Sequence, residues 1–117
     1  MESFKKSLIR SFYTLPLVDE LKDIKVVFVT HAGIITGTPV QNDEPDKAIH
    51  DLYTISMECV KDYRKDHSLD TSLPLDGNDG FMILKNVELK SGNTTFHFNY
   101  LNIFFDQIIG VTLAEGI

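Results

Sequence analysis

The chain has 117 residues, 43% of them hydrophobic and 24% charged, with eight Phe, four Tyr and no Trp, which suits one domain with one core. Its 17 acidic and 11 basic residues give a formal net charge of −6, which argues against the basic footprint of a nucleic-acid binder. Cys59 is the single cysteine, so no disulfide forms within the chain, and no apolar run is long enough for a transmembrane helix.

A first helix is predicted at residues 3–14. Phe4, Leu8, Ile9 and Phe12 fall at helical spacing, Lys5, Lys6 and Arg10 take other faces, and Ser3 stands where a cap belongs. Ser11, Thr14 and Pro16 interrupt any apolar stretch after the early lysines, so no secretory signal is read and a cytoplasmic location is expected. In that compartment Cys59 is expected as a buried, reduced thiol. Pro16 ends the helix, and Leu17, Val18, Leu21 and Ile24 suggest a short turn into the first strand.

Strands are expected at about 24–31 and 34–40, joined by a turn at Ala32-Gly33. Gly37 inside the second predicts a sharp bend or a close backbone approach. Asn42-Asp43-Glu44-Pro45 resembles a helix start, and Ile49, Leu52, Tyr53, Val60 and Tyr63 share one face with Met57 beside them. That predicts an inserted helix at about 45–66. A loop with Pro74, Asp76-Gly77 and Asp79-Gly80 leads to strands at about 81–89, 94–105 and 108–114, the first two joined at Ser91-Gly92-Asn93.

Within 94–105, Phe96, Phe98 and Tyr100 alternate with Thr95, His97 and Asn99, which predicts one buried face. Leu101, Ile103, Phe104 and Phe105 then place apolar groups on both faces, the pattern of a strand entering a core or an interface.

Residues 16–40 and 81–114, with Ile34-Ile35-Thr36-Gly37-Thr38 as a glycine-bent second strand, resemble the Sm-like (LSm) family. The resemblance implies a mainly β fold with added helices: a small, strongly bent, five-stranded Sm-like (SH3-like) barrel preceded by a helix. It also implies a ring-forming habit in which neighbouring subunits pair edge strands. The family's RNA-binding motifs are not matched. Gln41-Asn42-Asp43-Glu44 and the inserted helix occupy the first motif's place, and Asp106-Gln107 puts an acid where a phosphate wants a cation.

No catalytic, cofactor or metal residues are assigned. The four histidines, 31, 50, 67 and 97, have no metal-ligand spacing, and His50 and Cys59 stand roughly two and a half helical turns apart. Asp76-Gly77-Asn78-Asp79-Gly80 lacks calcium-loop ligand spacing, and no phosphate-binding or nucleophile-elbow motif occurs. The expectation is a non-enzymatic Sm-like interaction or scaffold protein forming a homo-oligomer through Leu101, Ile103, Phe104 and Phe105. One alternative is an RNA binder using Lys5, Lys6 and Arg10. A second is a small-molecule-binding or enzymatic domain with a pocket between the inserted helix and the barrel, its ligand unidentified.

Overall fold

β-Branched and aromatic runs build a single antiparallel sheet in the computed structural model, which describes residues 1–115. The elements are α1 (Phe4–Thr14), β1 (Ile24–Thr30), β2 (Gly33–Pro39), α2 (Lys47–Asp66), β3 (Phe81–Ser91), β4 (Thr94–Phe104) and β5 (Ile108–Glu115). Short 3-10 turns lie at Leu15–Leu17, Asp19–Leu21 and Phe105–Gln107. The strand order is β4-β3-β2-β1-β5, so β4 and β5 are the two edges. The expected mainly β architecture with added helices is present. Among the described residues the sheet is open, with no backbone pairing between β4 and β5.

Two local devices shape the sheet. The β1–β2 turn is His31-Ala32, one residue earlier than expected, and Gly33 opens β2 with φ +145. A Cβ on Gly33 would stand 2.2 Å from Lys90 O, so only glycine fits against β3 there. The bend predicted at Gly37 is a bulge. Thr36 pairs with Glu88 and Thr38 with Lys85, which leaves β3 one residue longer than β2 between the pairs. Asn86, on that longer side, has φ +52, a conformation asparagine tolerates better than most residues.

Alternation along the strands sorts the apolar residues onto two faces. On one, Val26, Phe28, Ile35, Met82, Leu84, Val87 and Ile103 form the main core with Phe105, Ile108 and Ile9 of α1. On the other, Ile83, Val40 and Ile49 form a smaller cluster with Tyr53, Phe81 and Tyr100, by which α2 is held. The carbonyl of Ile83 joins the two sides. It accepts from Val40 N at 3.1 Å and from Tyr13 Oη of α1 at 2.7 Å.

Both helices depart from their predicted faces. In α1 the Ser3 cap forms, its hydroxyl accepting from Lys6 N, but Phe4 and Leu8 are exposed and Lys6 is buried with Ile9. In α2 the cap is Asp46, accepting from Ile49 N, so the helix starts after the Asn42–Pro45 segment. Its inward stripe is Ile49, Tyr53, Ser56 and Val60, while Leu52, Met57 and Tyr63 are exposed. Cys59 is also exposed, because its position falls beside that stripe and not on it.

Candidate functional site

The residues expected at a subunit interface separate on the two faces of β4. Ile103 and Phe105 belong to the main core, and Leu101 is half-buried against it. Phe104 is 55% exposed and lies 6.0 Å from the Phe81 ring, centroid to centroid. Of the four, Phe104 alone has a substantially free side chain.

The first half of β4 also differs from expectation, since all its side chains from Thr94 to Asn99 are exposed. The tip of the β3–β4 hairpin lies level with the β1–β2 turn, since Lys90 stands between Ile34 of β2 and Thr95 of β4. Phe96 and Phe98 stand opposite Leu89 and Val87 and continue the core face outward, at 47% and 40% exposure. The hairpin's other face is polar, with Glu88 carrying an ion pair to Lys90 at 3.2 Å and His97 4.0 Å away. On the opposite edge of the sheet Ile109 of β5 is 56% exposed. Two unpaired edges with bare apolar side chains therefore bound one sheet.

A second feature lies between the helices. A cleft of about 440 Å³ has Tyr13 of α1, Tyr53, Met57 and Val60 of α2, and Phe81 of β3 among its lining residues. Pro74 and Leu75 of the loop before β3 line it as well. A smaller hollow of about 350 Å³ adjoins it, sharing Val60, Leu75, Gly80 and Phe81 and reaching Cys59 and Phe104.

Three cations line the larger cleft: Lys6, Arg10 and Arg64. Lys6 is 2% exposed, and its ammonium donates to Leu75 O at 2.7 Å and to Asp79 O, with the Phe105 ring centroid 5.3 Å away. Burial pulls its pKa below the ordinary lysine value. Glu2 opposes that shift, and Arg10 adds to it. Arg10 Nη1 donates to Glu2 Oε2 at 2.5 Å, and Arg64 Nη1 donates to Asp70 O at 2.6 Å. Tyr13, half-buried beside them, has its phenol pushed up to about 12, chiefly by desolvation.

The basic residues considered for RNA thus have other work. Lys6 is a buried anchor for the loop before β3, Lys5 is half-buried, and Arg10 is paired with Glu2. Among the described residues no group of three or more His, Cys, Asp or Glu side chains is placed to hold a metal ion. Among the same residues no helix is long and apolar enough to cross a membrane. The cleft was anticipated only as a space beside the inserted helix. Its cations come from positions 6, 10 and 64, and no spacing in the sequence links them.

Comparison with family models, with curated proteins and with solved structures finds no match for this chain. The reading of function rests on the geometry just described.

Proposed function

We propose that this protein is a non-catalytic interaction domain that self-associates through the edges of its sheet, in the manner of Sm-like rings. The observation carrying the reading is the exposed continuation of the core face along β4: Phe96 and Phe98, followed on the same edge strand by Phe104. A bare edge strand with large apolar groups is an aggregation hazard in a monomer and an interface in an oligomer. The strand order supports an Sm-like assignment, since it leaves β4 and β5 as complementary antiparallel edges. Pairing β4 of one copy with β5 of the next would extend the sheet between subunits and bring Phe96 and Phe98 toward the neighbour's Ile109. Barrel closure belongs to the same reading, with the edges approaching once a neighbour occupies them.

The test is size-exclusion chromatography with light scattering, with absorbance recorded in both the nucleic-acid and protein bands. A ring-sized mass without excess nucleic-acid absorbance supports the scaffold. A mass of 13.3 kDa at high concentration sinks it. A ring carrying salt-sensitive RNA would replace it with the nucleic-acid alternative.

A further inference from the structure

The lining of the cleft between α1 and α2 is electrostatically one-sided. Among the described residues its lining contains Lys6, Arg10 and Arg64 and no carboxylate, Glu2 meeting Arg10 from outside it, in a chain whose net charge is −6. The rest of the lining is predominantly apolar and aromatic, which is how sites for small organic molecules are built. Lys6 makes a second, independent point. Its buried ammonium has two carbonyl acceptors for three N–H groups, and among the described residues it makes no ion pair. Buried charges are ordinarily paired; Glu2 and Asp79 attract this one without forming an ion pair with it, and Arg10 and Arg64 repel it. An anion placed among the three would give Lys6 the direct ion pair it lacks and an acceptor for its third N–H. Arg10 and Arg64 each commit Nη1 to a protein partner, and a guanidinium carries five N–H donors, so both retain donors for it.

We propose that this cleft binds a small organic anion with an apolar body, of the medium-chain or aryl carboxylate type. The head meets Lys6, Arg10 and Arg64, and the body lies over Tyr13, Met57 and Phe81. The volume of about 440 Å³ lies within the range of small-ligand pockets. The adjoining hollow extends the space for a longer body. A bare inorganic anion uses only the head contacts, and a neutral or cationic amphiphile uses only the body contacts. The pocket discriminates against all three.

The experiment is calorimetric titration of the purified full chain with octanoate, and in parallel with octanol, octyltrimethylammonium and inorganic phosphate. Octanoate is expected to bind one per chain, at least about tenfold more tightly than the other three. Arg10→Gln and Arg64→Gln are each expected to weaken octanoate about tenfold, the loss of one charge-assisted contact, with thermal unfolding confirming that both variants fold. Equal binding of the cationic amphiphile would overturn the proposal, as would octanoate binding unchanged in both variants, or no octanoate binding. The oligomer reading is separate, because neither substitution touches a sheet edge and mass by light scattering reports it independently.

Discussion

Ser56 Oγ lies 2.8 Å from Tyr100 Oη, and this contact fixes α2 against β4. The Ser56 hydroxyl donates to Leu52 O of its own helix at 2.9 Å and accepts from Asn102 Nδ2 at 3.2 Å. A helix interior seldom buries a serine. Here the cost is met because three partners converge on one hydroxyl oxygen.

Removing either end should therefore be unequal. Tyr100→Phe loses the contacts of Tyr100 Oη with Ser56 Oγ and, at 3.2 Å, with Leu52 O, at a partly exposed site, and should cost about 1 kcal/mol in urea unfolding. Ser56→Ala also strands Asn102, whose Oδ1 already has no partner, and should cost about 2 kcal/mol. A smaller loss for Ser56→Ala than for Tyr100→Phe would show that the network does not hold the helix.

Tyr13 and Lys6 both make stability depend on pH in alkali, beside the raised phenol of Tyr100 and the raised ammonium of Lys47. Tyr13 has its folded pKa raised to about 12 from 10.0, so the stability its neutral phenol contributes is present below pH 10.0 and is lost as pH climbs toward 12. The loss is about 2–3 kcal/mol over that window, read as unfolding that coincides with the late phenolate absorbance. Lys6 has the opposite sign. Its folded pKa is depressed below 10.5, so stability increases as pH rises through the folded pKa toward the unfolded value. Lys6→Met should remove that alkaline gain while leaving the Tyr13 loss in place.

Gly33→Ala should be among the most damaging small changes. The added methyl would meet Lys90 O at 2.2 Å, and φ there is +145. A cost of about 2 kcal/mol or more is expected in denaturant melts. Gly92→Ala, with φ +60 and open space around it, is the control: it should lose about 1 kcal/mol.

Interface and core substitutions on β4 and the turn after it should part company. Phe96→Lys with Phe98→Lys should leave a folded chain, at a cost of about 1 kcal/mol, and reduce the assembly to monomers in light scattering. Ile103→Lys or Phe105→Lys should unfold the protein outright, because each buries a charge in the main core. Folded monomers from the second pair would contradict the burial seen here.

Much of this was legible along the chain, and the rest was hidden for identifiable reasons. The seven elements, the Ser3 cap and the bend at Gly37 follow from local spacing, capping chemistry and a missing side chain. These are properties of neighbours in sequence. The faces of the two helices were misjudged where a polar group went inward. Lys6 is buried because Leu75 and Asp79, some 70 residues on, bring carbonyls to its ammonium. Ser56 is buried because Tyr100 and Asn102 do the same for its hydroxyl.

By itself, then, the sequence determined where helices and strands form, that one core is apolar enough to hold them, and that the acidic balance disfavours a basic footprint. Only the tertiary structure decided that Ile103 and Phe105 face inward while Phe96, Phe98 and Phe104 remain bare. It also gathered the cations at positions 6, 10 and 64 into one cleft. Period-2 and period-3.6 patterns say which residues share a face, but whether that face is covered depends on contacts between distant segments.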